Sequence, residues 1–301
     1  MTVVLELQGV SKRFGDMYAL RDISFVVKKG EVVGFVGANG AGKTTTISTL
    51  LGFISPTKGN VSVFGEAVKL QTAHQLHVRM GYAAGDMQLP PRLTGAQYLT
   101  FVLHQVKGEH GKRLADLSAR FKPQLDKKIG DLSRGNKQKI ALIAAFMTSP
   151  DLVILDEPTS GLDPVMQEVF LDLVREVQSQ GVTVFMSSHY LNEVADVCSR
   201  IILMRDGKIV RDMPAQEMLE NSGKQVRVVT GYKSTKTPAK SKEVTREVID
   251  GNLVVTFAYQ GEPKDLQVWL AGLKQLIDIE ITEYNLEGVF KSLYESEGDI
   301  S

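Results

Sequence analysis

The sequence predicts an α/β domain built on a mostly parallel sheet, followed by a small α+β domain. Three observations carry this. Short apolar runs alternate with helix-period segments between residues 31 and 221. Several of those runs are continuously apolar, as strands buried on both faces are. After Asn221-Ser222-Gly223 the character changes to a polar, basic stretch and then a hairpin pattern.

Taken in order, Val3–Leu7 and Ile23–Val27 read as short strands. Glu31-Val-Val-Gly-Phe-Val-Gly37 is an apolar run bounded by glycine, which suits a buried parallel strand. A helix follows near Lys43, with Ile47, Leu50 and Leu51 on one face. Residues 60–64 and 78–84 read as further strands. From Leu89-Pro90-Pro91 to about residue 148 the pattern is helical, as in Leu99, Val102 and Leu103. Strands are expected at 152–155 and 182–187, each followed by a helix, at 165–180 and 190–197. Strands 200–204 and 208–211 flank the turn Asp206-Gly207, and a helix at 214–221 closes the domain.

The predicted boundaries are 1–222 and 223–301. In the second part, 231–242 reads as a polar loop, either simply solvated or touching lipid headgroups through its lysines. Residues 243–249 and 252–258 flank Asp250-Gly251, a hairpin signal. Leu266, Trp269, Leu270 and Leu273 form a helical stripe that reads as core, before a strand at 277–282 and a helix at 286–295.

The bulk composition narrows the function. Of 301 residues, 43% are hydrophobic and 23% charged, so a packed core is expected. Lysine plus arginine total 35 and aspartate plus glutamate total 35, so no overall basic field argues for nucleic acid. The single cysteine, Cys198, lies among apolar residues and reads as a buried thiol, which suits a reducing compartment. No apolar run approaches the ~20 residues that span a bilayer, and the N-terminus lacks a secretory pattern. The expected location is cytoplasmic.

Two segments carry chemistry. Gly37-Ala38-Asn39-Gly40-Ala41-Gly42-Lys43-Thr44 lies between an apolar strand and a helix and matches the phosphate-binding loop pattern. Glycines let backbone N–H groups close around phosphate oxygens, and the helix N-terminus adds its positive end. Lys43 supplies charge toward the terminal phosphates, and the Thr44 hydroxyl suits Mg²⁺. Leu152-Val-Ile-Leu-Asp156-Glu157-Pro158 is a buried strand that delivers two carboxylates at its C-terminal end. Asp156 is placed to hold Mg²⁺ and Glu157 to polarise an attacking water.

Leu132-Ser133-Arg134-Gly135-Asn136-Lys137-Gln138 is similar to the signature sequence of ATP-binding cassette (ABC) proteins, usually Leu-Ser-Gly-Gly-Gln. Arg134 and Asn136 depart from the commonest residues. Ser133 is also a good helix N-cap. Ser160-Gly161-Leu162-Asp163 resembles the family's D-loop, and Ser187-Ser188-His189 its switch histidine. The resemblance implies a P-loop NTPase domain with an antiparallel β subdomain and a helical subdomain at about 86–148. It implies ATP as cofactor with Mg²⁺, bound by residues 37–44 and Thr45. It also implies a head-to-tail homodimer in which Ser133, Gly135 and Asp163 serve the opposite subunit's nucleotide. Phe14 falls where the family stacks an aromatic ring on adenine, with Tyr18 as second candidate; stacking is worth roughly 1–3 kcal/mol per base. His189 would contact the γ-phosphate. His74, His77, His104 and His110 match no motif.

One position departs from the family. Where a glutamine or glutamate is usual after the strand ending near Tyr82, this chain has Gly85, leaving Asp86 or Gln88 to substitute. The segment Leu286-Glu-Gly-Val-Phe-Lys-Ser-Leu293 resembles the tail of ATPase subunits from drug, antibiotic and sodium exporters. That resemblance implies a separate membrane permease, docked through about 86–131, and a peripheral place on the inner face of the cell membrane. A ribosome- or DNA-acting member is disfavoured by the single cassette, the lack of a coiled-coil insertion and the zero net charge. A binding-only regulator is disfavoured by the presence of Lys43, Asp156, Glu157 and His189 together.

Overall fold

The structure, a computed structural model, describes residues 2–85, 89–189, 196–217, 223–231, 235–259 and 261–283. It divides into two compact units, Met1–Pro214 and Ala215–Ser301. This division falls earlier in the chain than the composition change at residue 222.

The first unit opens with a long antiparallel pair, β1 (Val3–Phe14) and β2 (Met17–Lys28). The sequence marks only the outer ends of this pair. Register shifts along it break the period-2 pattern, and its exposed residues mix Gln8, Arg13, Arg21, Asp22 and Ser24 with Phe14, Met17 and Tyr18. The inner face, with Leu5, Leu7, Val10, Leu20, Ile23 and Val27, is fully buried. With β4 (Lys58–Val63) and β5 (Glu66–Ala67) the pair forms a sheet of order β2-β1-β4-β5.

The second sheet has the order β10-β9-β3-β8-β7-β6. Its strands are β3 (Val32–Val36), β6 (Met80–Ala83), β7 (Leu152–Asp156), β8 (Thr183–Ser188), β9 (Arg200–Arg205) and β10 (Lys208–Pro214). All neighbours pair parallel except β9 and β10. Every residue of β3, β7 and β8 is buried, which is why these strands read as mainly apolar runs, with polar residues only at the ends of β7 and β8. Phe25, Phe35 and Phe185 pack ring against ring, with centroids 5.2–5.8 Å apart, and join the two sheets. Cys198 is buried, and burial pushes its thiol pKa up.

Helices flank this sheet. α1 (Lys43–Leu50) follows β3, and α2 (Ala73–His77) precedes β6, so the expected strand at 78–84 starts only at Met80. The helical stretch after residue 89 is three helices: α3 (Gly95–Leu103), α4 (Gly111–Phe121) and α5 (Arg134–Phe146). A capping box between Thr94 and Gln97 starts α3. α6 (Pro164–Ser179) carries Glu176, which accepts hydrogen bonds from Arg113 and Arg120 of α4.

The second unit has one sheet, β12-β13-β11-β14. It comprises β11 (Lys224–Thr230), β12 (Ser241–Ile249), β13 (Asn252–Tyr259) and β14 (Leu276–Glu283). β11, which lies against both β13 and β14, was not expected from sequence; it mixes charged and polar residues with its valines. Asp250 and Gly251 form the hairpin turn with φ of 52° and 80°. α7 (Pro263–Ala271) packs Leu266 and Trp269 on Val226, Val228, Val255 and Phe257. Trp269, a partly buried residue packed against the core, meets Phe257 edge-on at 5.2 Å and donates its Nε1 hydrogen to the Lys236 carbonyl. Most of the expected helix 190–197 and all of that at 286–295 lie outside the described residues. Among the described residues, no helix is long and apolar enough to cross a membrane.

Candidate functional site

The C-terminal ends of the parallel strands β3, β7 and β8 converge, and each delivers one part of the site. β3 runs into the glycine loop. Gly37 N–H donates to the Ser188 carbonyl at the end of β8, tying the loop to its neighbour strand. Ala38, Asn39 and Gly40 are exposed at the loop's apex. Gly42 is the N-cap of α1 at φ 109°, and a Cβ there would lie 2.6 Å from the Ala19 carbonyl oxygen. Only glycine satisfies both conditions.

Lys43 is 5% exposed. Its Nζ donates to the Gly37 carbonyl at 2.7 Å and to Ala38 at 3.3 Å. The ammonium is thus folded back along the loop it serves. Burial holds its pKa below the ordinary lysine value, and the Glu157 and Asp156 carboxylates oppose that shift. Thr45, next along α1, gives its carbonyl to the Thr49 hydroxyl.

β7 delivers the two acids. Thr44 Oγ1 donates to Asp156 Oδ2 at 2.8 Å. Ser187 Oγ donates to the other oxygen of Asp156 and accepts from the Glu157 N–H at 3.0 Å. Glu157 has φ 47°, a left-handed conformation uncommon for a glutamate. That turn swings its carboxylate away from the strand. Glu157 Oε1 lies 3.8 Å from Lys43 Nζ and 3.3 Å from His189 Nδ1. Asn39, Arg134, Glu157, Ser160, Ser188 and His189 line a cleft of about 450 Å³.

Thr44 and Asp156 present hard oxygen donors side by side, a set that fits Mg²⁺. Gly85 faces the same place. A Cβ at Gly85 would lie 3.0 Å from the Asp156 carbonyl oxygen and 3.6 Å from its carboxyl carbon. The position is therefore beside the acid but bears no side chain. Asp86 and Gln88 lie outside the described residues. Tyr82, one turn of strand earlier, has its phenol pushed up to about 12 by burial and by the Asp156 charge.

The signature residues start α5 and pack on the segment that follows Glu157. Ser133 caps α5, accepting from the Asn136 N–H and from its side-chain amide. A Cβ on Gly135 would come within 2.6 Å of the Gly161 carbonyl oxygen. Arg134 donates to Ser160 Oγ at 2.6 Å, and the fully buried Gln138 donates to the Pro158 carbonyl at 2.7 Å. Asp163 caps α6, accepting from the Met166 N–H at 2.9 Å. Phe14 ends β1 with 47% exposure, and Tyr18 is 38% exposed with Arg13 and Arg21 over its ring.

Four of these contacts, made by three residues, are not legible in the sequence. Ser187 was read only as the start of the histidine motif, yet it holds both Asp156 and the Glu157 backbone. Arg134 and Gln138 fall in the signature-like motif, with Arg134 a departure from it, and their partners lie 26 and 20 residues away in sequence. Of the unassigned histidines, His77 contacts the Leu51 carbonyl and His110 the Lys107 carbonyl.

Comparison with known proteins identifies the family. The family model described as ABC transporter matches residues 20–160. The chain is 30% identical to the Nod factor export ATP-binding protein I of Burkholderia lata, over 96% of both chains. A solved ATP-binding subunit of an ABC transporter superposes with a TM-score of 0.67 at 27% identity, covering 71% of this chain and 91% of that one. The cbiO1 protein of Clostridium perfringens, part of the ABC transporter complex cbiONQ, matches with a TM-score of 0.61 at 25% identity, over 72% and 90%. The phosphate loop, the paired acids and a relative matched along nearly its whole length leave one assignment: this chain belongs to the ABC transporter family, as an ATP-binding subunit.

Proposed function

We propose that this ATPase hydrolyses Mg·ATP in a head-to-tail pair with a second copy and thereby powers export through a separate membrane permease. The observation that carries the chemistry is the position of Glu157 Oε1, between Lys43 Nζ and His189 Nδ1, beside the Thr44–Asp156 pair. The loop N–H groups of residues 37–44 cradle the phosphates, and Lys43 turns from the loop carbonyls to the β and γ oxygens. Phe14 stacks on the adenine. Thr44 and Asp156 would hold Mg²⁺, which would supply positive charge against the phosphate oxygens. Glu157 takes the proton of the attacking water at its carboxylate, and His189 meets the γ-phosphate. Ser133, Gly135 and Asp163 face the nucleotide of the other copy.

Export rests on the Burkholderia relative, which is named for it, and on the tail resemblance. A permease partner rests on the clostridial relative's membership of a transporter complex. Such an arrangement makes this chain peripheral on the cytoplasmic face of the membrane. The test is Glu157→Gln. Turnover should fall by about 10² or more, while ATP binding persists and a two-copy species accumulates on size-exclusion chromatography. Turnover at the wild-type rate would remove Glu157 as the base.

A further inference from the structure

We propose that Lys12 is a positioning residue for the nucleobase: it holds the Phe14 ring from one side so that the adenine stacks on the other. The proposal rests on reading Phe14 as the adenine platform. Lys12 and Phe14 are two apart on β1, so their side chains share a face of the strand. Lys12 Nζ lies over the Phe14 ring, 4.9 Å from its centroid. The same ammonium donates to the Ser55 carbonyl at 2.7 Å.

The Ser55 segment is itself laced to β1. Thr57 N–H donates to the Ser11 carbonyl at 2.7 Å, and Arg13 N–H donates to Thr57 Oγ1 at 3.0 Å. Lys12 is thus tethered at its tip to a fixed loop, and its charge is committed to the ring and that carbonyl rather than to a phosphate. Phe14 is nearly half exposed, so this single cation leaves ring surface for a base. Tyr18 differs, with two guanidinium groups over its ring, at 5.7 and 5.3 Å.

Two physical effects follow. A cation on one face draws π-density from the ring, which favours an electron-rich purine on the opposite face. A clamped ring also loses less freedom when the base arrives. Both act on the base and neither acts on the triphosphate.

The experiment measures equilibrium binding of ATP and of inorganic tripolyphosphate, which has no base, to the full chain and to three variants. Lys12→Met should weaken ATP by about two- to fivefold, leave tripolyphosphate unchanged, and be restored by Lys12→Arg. Phe14→Ala should weaken ATP by about fivefold or more. Wild-type ATP affinity in Lys12→Met, with Phe14→Ala impaired, overturns the role of Lys12 and leaves the platform standing. No effect of Phe14→Ala overturns the platform and the proposal with it. Equal weakening of both ligands by Lys12→Met makes Lys12 a general phosphate attractor and also overturns the proposal. Should Lys12→Met unfold, Lys12→Gln, which keeps a donor toward Ser55, gives the same comparison.

Discussion

Thr44 Oγ1 donates to Asp156 Oδ2 across 2.8 Å, joining the first turn of α1 to the end of β7. Two oxygens from elements more than a hundred residues apart in sequence are thus held side by side, a pair of hard donors of the kind Mg²⁺ takes. Thr44→Val and Asp156→Asn should each raise the Mg²⁺ concentration for half-maximal turnover by about tenfold or more. Thr44→Ser, which keeps the hydroxyl, should stay close to wild type. A Mg²⁺ titration of ATP turnover checks all three.

Lys43 gives a pH signature. Burial lowers its pKa from 10.5, so above the lowered value the unfolded chain binds more protons here than the folded one. Stability therefore rises with pH through that window, up to the unfolded value. Wild type should gain stability relative to Lys43→Met as pH is raised toward 10.5. Denaturant midpoints of the two proteins, compared pH by pH without nucleotide, read this difference directly.

Gly135 tests the seam between α5 and the segment after Glu157. With a Cβ 2.6 Å from the Gly161 carbonyl oxygen, Gly135→Ala must push the two apart. The expected cost is about 1–3 kcal/mol of stability, with turnover lowered. Thermal melting and steady-state hydrolysis measure the two effects.

Asp163 has a capping role that can be separated from a charge at the subunit interface. Asparagine caps as well as aspartate, so Asp163→Asn should melt close to wild type, while Asp163→Ala should lose about 1 kcal/mol. If the charge serves the paired site, both variants lose turnover. Full activity in Asp163→Asn would leave the residue as a cap alone.

Much of the fold was legible because buried parallel strands are mainly apolar. Residues 152–155 and 182–187 could be read as strands directly, since both sheet faces exclude water. The β1–β2 pair was legible only at its ends, because its exposed face and register shifts mix polar residues into the pattern. β11 hid for a related reason: Arg227 interrupts its valines, and its place between β13 and β14 depends on strands far along the chain.

The site divides in the same way. The residue types at 37–44 and 156–157, read together, point to phosphate binding and water activation, and 132–138 enters through its resemblance to the family's signature. Tertiary structure alone decided how they meet. It turned Glu157 through a positive φ toward Lys43 and His189, and placed Ser187 under both Asp156 and Glu157. It set bare Gly85 against Asp156 and packed the signature on Ser160 and Gly161. These relations join separate strands and helices through packing and long-range hydrogen bonds, and no local pattern encodes a distance between elements that only the sheet order brings together.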